Sequence, residues 1–102
     1  MVFINTQAKI DLDNIVIGLL DWNKITLSVI EVMQYVDDIA TICNKLDVAY
    51  HHHAKYNEHL KYGKYSYPYN RNKNTTWYII YDIDSDNNIF VNKIISNYLT
   101  IS

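Results

Sequence analysis

Cysteine, proline and glycine are nearly missing from this chain of 102 residues, which holds one, one and two of them. A single thiol, Cys43, builds neither a disulfide framework nor a thiolate metal cluster. So little glycine and proline speaks against a turn-rich barrel, and no Walker or dinucleotide phosphate-binding fingerprint is present. No apolar run approaches the roughly 20 residues of a membrane span. The opening Met1-Val2-Phe3-Ile4-Asn5-Thr6 lacks the basic and apolar regions of a signal peptide, so a cytoplasmic protein with no membrane partner is expected. Repeats and linker-like stretches are also missing. Residues 1–102 therefore read as one domain, of a length that supports one modest core.

What the chain has in excess is tyrosine, ten residues of it, within a composition that is 49% hydrophobic and 20% charged. That balance belongs to a globular chain and not to a disordered one. The tyrosines have two readings, the bias of an AT-rich genome or a binding surface in which apolar rings carry polar tips. Charge is uneven under the net −2: residues 1–50 carry −4, residues 51–81 carry +4 with all four histidines, and residues 82–102 carry −2. The middle third is where an anionic partner is expected to be drawn.

The hydrophobic period changes along the chain. Val2-Phe3-Ile4-Asn5 is a short β-prone run ending at a helix-cap signal, Asn5-Thr6. Ala8, Leu12, Ile15, Val16, Leu19 and Leu20 then recur at helical spacing, with Lys9, Asp11, Asp13 and Asp21 expected on the solvent face. Asn23 and Lys24 close this helix. Ser28 and Glu31 form a capping box for a second helix, whose stripe runs through Val29, Val32, Met33, Val36, Ile39, Ala40, Cys43 and Leu46. Beyond it, Lys64–Tyr69 alternates with tyrosine at every other position, and Pro68 marks an edge or a bulge. Those tyrosines are expected to be exposed and to mark a partner surface. Residues 75–83 and 89–95 are β-rich, separated by the polar clusters 70–74 and 84–88. The expected fold is α+β, in the order β-α-α-β-β-β, with a helix hairpin packed on a small antiparallel sheet.

This order, and several residue runs, resemble the RelE/ParE superfamily of toxins from type II toxin–antitoxin systems. Phe3-Ile4-Asn5-Thr6-Gln7-Ala8-Lys9-Ile10-Asp11-Leu12 looks like the family's entry from strand into first helix, with its Ala-x-x-Asp-Leu element. Glu58-His59-Leu60-Lys61-Tyr62-Gly63-Lys64-Tyr65 is similar to its His-x-Leu-x-Gly approach to the second strand. Trp77-Tyr78-Ile79-Ile80-Tyr81-Asp82-Ile83 looks like its third strand, and Ile94-Ile95-Ser96-Asn97-Tyr98 falls where a His/Arg-containing end motif is common. The resemblance implies a plasmid-stabilisation type of toxin that arrests growth when free of its cognate antitoxin. One branch of the family cuts mRNA on the ribosome; another inhibits DNA gyrase and needs no hydrolytic site.

Under the endoribonuclease implication, His59, Arg71 and Tyr98 are the catalytic candidates, and Lys61, Lys64 and Lys73 the substrate-binding ones. An imidazole moves protons near neutral pH, and a guanidinium grips phosphate in two places. The plainer reading makes His59 a loop histidine, Arg71 a turn residue and the lysines solubilising charges. Two positions depart from the ribonuclease pattern: Tyr78 and Asn97 stand where the family often has cations. The alternative reading is accordingly a non-catalytic protein-binding module, either gyrase-inhibiting or degenerate. His51-His52-His53 lacks the further ligands of a closed zinc site, Cys43 reads as a core residue, and no cofactor or metal is expected.

Overall fold

A computed structural model describes residues 1–21, 29–48, 51–73 and 75–97. β1 (Val2–Ile4) leads into α1 (Thr6–Asp21), α2 (Val29–Asn44), a 3-10 turn (Leu46–Val48) and a one-turn α3 (Asn57–Leu60). Three strands follow: β2 (Tyr65–Asn72), β3 (Thr75–Ile83) and β4 (Ile89–Ser96). The Asn5 carbonyl accepts the Lys9 N–H at 3.0 Å, as the residue flanking a first helical turn does. Its side chain donates to Asn92 Oδ1 of β4, so the cap residue also ties α1 to the sheet. The expected closure at Asn23-Lys24, and Ser28 of the expected capping box, lie outside the described residues.

The protein is α+β, with a four-stranded sheet in the order β1-β4-β3-β2. β2, β3 and β4 form the expected antiparallel meander, but β1 joins β4 in parallel, so the sheet is mixed and not purely antiparallel. A parallel neighbour requires a crossover, and here the chain between β1 and β4, helices included, supplies it. In the β3–β4 turn the Asp84 carboxylate accepts the backbone N–H of Asn88 and of Asp86, bonds that hold it below the usual carboxylate range. Asn87 takes the left-handed conformation, φ 64°, that asparagine tolerates better than most residues.

Strand alternation sorts the side chains onto two faces. Tyr65, Tyr67 and Tyr69 pair with Tyr81, Ile79 and Trp77, and the same face continues through Val91 and Ile94. This face meets Ala8, Leu12 and Ile15 of α1 and Tyr35, Val36, Ile39, Ile42 and Cys43 of α2, and that contact is the core. The β2 tyrosines are thus half-buried under the helices, contrary to the exposed partner surface expected of them. A period of two reveals that a strand has two faces, but not which one a helix covers.

The second face is covered by an element the sequence period does not mark. Residues 52–54 run along the outer edge of β2, with Ser66 N–H donating to the His52 carbonyl and Ala54 N–H to the Lys64 carbonyl. The chain then passes onto the far face, where α3 sets His59 against Tyr78. Gly63 lies so close to β3 that a Cβ there would stand 2.7 Å from the Tyr81 carbonyl oxygen. Edge and far face of the meander are therefore covered by one continuous strap. Among the described residues, no helix is long and apolar enough to cross a membrane.

Candidate functional site

His59 is 1% exposed, on a helix of only four residues. Its ring sits 4.6 Å from that of Tyr78 and 5.1 Å from that of Tyr56, centroid to centroid. Burial lowers its pKa below the ordinary 6.5, against the smaller opposing pull of Glu58. Burial, with Tyr56 nearby, also raises the Tyr78 hydroxyl above the usual tyrosine value. The imidazole is thus kept neutral in a dry site, not poised on an open surface to exchange protons with a substrate.

The sign of the resulting pH dependence follows from linkage. A base whose folded pKa is depressed favours the folded state while neutral, and it disfavours that state as pH falls below the unfolded value near 6.5. The urea midpoint is therefore expected to fall as pH drops from 7.5 to 5.5, and His59→Phe is expected to flatten that slope whatever it does to absolute stability. An unchanged slope in the variant would assign the pH dependence to other groups.

Arg71 stands on the other side of the sheet. Its Nη1 donates to Asp38 Oδ2 of α2 at 2.5 Å and to the Tyr69 hydroxyl at 3.1 Å. Its guanidinium carbon lies 4.3 Å from the centre of the Tyr35 ring, within range of a cation–π contact. Tyr35 in turn accepts the Trp77 indole N–H at 2.7 Å. Burial works against the guanidinium charge, but the bonds to Asp38 and Tyr69 outweigh it and raise its pKa. The same bond, with one from Gln34, holds Asp38 below the carboxylate range. This arginine fastens α2 to the end of the meander, and its charge is already answered by a carboxylate.

The remaining candidates are dispersed. Lys61 pairs with Glu58 at 2.7 Å on the exposed side of α3. The Lys64 backbone N–H donates to Asp82 Oδ1 at 2.9 Å, and Lys73 is exposed beside the β2–β3 turn. Tyr98 lies outside the described residues. Asn97 accepts the Thr76 N–H through Oδ1 at 3.0 Å, supporting the start of β3. An acid, a base and a phosphate-binding cation must reach one reacting centre to work together. The sheet stands between His59 and Arg71, so these two do not converge.

Of the histidine run, His51 Nδ1 lies 2.8 Å from the Tyr81 hydroxyl, and the His51 and His53 rings both pack on Tyr65. Burial, with Tyr65 and Tyr67 nearby, pushes the Tyr81 hydroxyl up to about 12, and burial pushes the Cys43 thiol up to about 12 as well. Neither is a nucleophile at neutral pH. Among the described residues, no group of three or more His, Cys, Asp or Glu side chains stands ready to hold a metal.

A buried carboxylate with three hydrogen bonds is one assigned to the solvent face by helical spacing alone. Asp11 is buried, not exposed: Oδ1 accepts from Lys93 Nζ at 2.9 Å and from Gln7 Nε2 at 3.0 Å, and Oδ2 from the Ile94 N–H at 2.9 Å. The reason is a bulge. Ile80 pairs with Lys93 but Tyr81 with Val91, leaving Asn92 as an extra residue in β4. The Asn92 amide donates to the Tyr62 carbonyl and to Asp82, so α1, β3, β4 and the strap meet at this point. The Ala8-x-x-Asp11-Leu12 spacing was the available signal, since it puts Asp11 one turn beyond the buried Ala8. No family model, no curated protein and no solved structure matches this chain.

Proposed function

We propose that this protein is a growth-arresting toxin of the RelE/ParE kind, checked by a cognate antitoxin, that acts by binding a protein target and not by cutting RNA. The order of one strand, two helices and a three-stranded meander supports the first part, together with the residue runs that resemble the family. The observation that carries the second part is the placement of His59 and Arg71 on opposite faces of the sheet. One is buried between tyrosines and the other is neutralised by Asp38. A pentavalent phosphate needs preorganised cations, each worth about 3 kcal/mol of transition-state stabilisation, and among the described residues His59 and Arg71 assemble no such pair. A net charge of −2 also suits a protein target better than ribosomal RNA, whose binding rests on many cation–phosphate contacts. DNA gyrase is the target class that the family resemblance points to.

The test is inducible expression in bacteria, with growth followed and the ends of ribosome-associated mRNA mapped. Growth arrest relieved by co-expression of the adjacent open reading frame, with no new codon-phased ends, is the expected result. New ends that vanish in Arg71→Lys would restore the ribonuclease reading. Soluble protein that neither slows growth nor forms a complex with the neighbouring product would remove the toxin reading altogether.

A further inference from the structure

The part of the strap that crosses the far face is a loop tied together at its base. Ala54 N–H donates to the Lys64 carbonyl at 2.8 Å, and Ser66 N–H to the His52 carbonyl at 2.9 Å. Residues 55–63 therefore leave and return at one place on the edge of β2. Between the ties, His59 and Gly63 are the only buried residues, and a glycine has no side chain. Lys55, Tyr56, Asn57, Leu60 and Lys61 are exposed. One side chain, His59, thus anchors the loop in the far face. The returning end has a tie of its own, since the Tyr62 carbonyl accepts the Asn92 amide at 2.7 Å.

The face beneath the loop is incompletely satisfied. Ser66 alternates with Tyr65 and Tyr67, so it points away from the helices, paired with Ile80. Gly63 lies against the Ile80 side chain, so the loop covers this face of β2 and β3. The Ser66 hydroxyl is buried and has no hydrogen-bond partner among the described residues. A hydroxyl shut away from water in this manner is a cost of closure that opening relieves.

The anchor is also the kind of side chain whose charge changes between pH 5 and 8. Around it stand Tyr78 of β3 and Tyr56 and Glu58 of the loop, and Glu58 is engaged by Lys61. Asp82 of β3 lies at the loop base by the Lys64 N–H, and Lys93 of β4 lies near the Tyr62 ring. His51 and His53 pack on Tyr65, outside the loop. A neutral imidazole packs well between two tyrosine rings. An imidazolium needs hydration, which the closed loop denies to a side chain so deeply buried. Withdrawing one side chain is a smaller change than unfolding a sheet, so the loop yields before the domain does.

We infer that residues 55–61 form an acid-operated cover, locked on the far face by neutral His59 and released by its protonation while the loop base stays paired. This stands apart from the growth-arrest reading and is tested on the purified chain. In the open loop the imidazole returns to its ordinary value near 6.5, so closure is strongest above that pH and weakens below it.

The experiment is amide hydrogen exchange of the full chain by NMR at pH 7.5 and 5.0, corrected for intrinsic exchange, beside a titration of the His59 ring resonances. The amides of His59 and Leu60 bond to the Tyr56 carbonyl in the closed loop. Their protection is expected to fall at least about fivefold at pH 5.0, with a midpoint that follows the His59 titration. Ala54 and Ser66 at the loop base, and Ile94 in β4, are expected to keep theirs. His59→Phe is expected to stay closed at pH 5.0, whereas His52→Gln with His53→Gln should open as wild type does. Should His59→Phe fail to fold, the agreement of the two wild-type midpoints decides. Unchanged protection, a loss shared by Ala54, Ser66 and Ile94, a midpoint unrelated to His59, or a double variant that stays closed would each overturn the inference.

Discussion

Asp11→Ala is expected to lower the stability of this protein by about 3 kcal/mol, the low end of what breaking a buried ion pair by removing one partner costs. The alanine leaves the Lys93 ammonium and the Ile94 N–H without the oxygens that accept them now. The Lys93 side chain is 20% exposed, so water answers part of its charge, which is why the low end applies. Asp11→Asn keeps the shape and one acceptor for the Ile94 N–H but loses the ion pair, and should fall between wild type and alanine. Urea melts of Asp11→Ala, Lys93→Met and the double variant measure the coupling directly. A coupling energy of roughly 1–3 kcal/mol is the expected result for residues in contact. Additive losses would mean that the pair contributes nothing as a pair, leaving the bonds from the Ile94 N–H and Gln7 as the roles of Asp11.

The two glycines should respond to alanine in opposite directions. At Gly63 the new Cβ would stand 2.7 Å from the Tyr81 carbonyl oxygen and 2.9 Å from its carbon, and both belong to a central strand that has little room to shift. Overpacking against backbone is expected to cost about 2–3 kcal/mol. That corresponds to a fall in Tm on the order of 10–20 °C for a domain of this size. At Gly18, exposed within α1, nothing lies within 4 Å of the added methyl. Alanine there should stabilise by about 0.5–1 kcal/mol, because it removes the conformational freedom of glycine in the unfolded chain. A thermal melt of each variant decides. A Gly63→Ala protein that melts with wild type would show that the strap does not lie on β3 as described.

If the strap lifts in Gly63→Ala, His59 loses its dry setting along with it, since both hold the same segment against the far face. The acid-side loss of stability assigned to His59 should then shrink in the Gly63 variant too. This ties a packing effect to an electrostatic one through a single element.

Much of the architecture was legible from local pattern. Helical spacing marked α1 and α2, alternation marked β2, and β-branched and aromatic runs marked β3 and β4, because each of these signals lies within a few neighbouring residues. The isolated glycine of Glu58–Tyr65 was visible as a family-like feature, and its close approach to Tyr81 is the physical reason that position wants no side chain. The candidate site was less legible. His59 and Arg71 are only 12 positions apart, so nothing in their spacing revealed that the strap would hold His59 on one side of the sheet while β2 turns Arg71 to the other. Arg71 finds its carboxylate 33 positions away in α2, a pairing that no local period encodes.

By itself the sequence determined the types of the two long helices and the four strands and the uneven distribution of charge, since composition and short-range periodicity act through local sterics and burial. Tertiary structure alone decided which face of β2 the tyrosines turn inward, because alternation is symmetric between the two faces. It decided that Asp11 is a buried anchor, because a bulge in β4 turned a backbone N–H and a lysine toward α1. It also decided that His59 and Arg71 do not meet, because a sheet separates what the chain brings close in number.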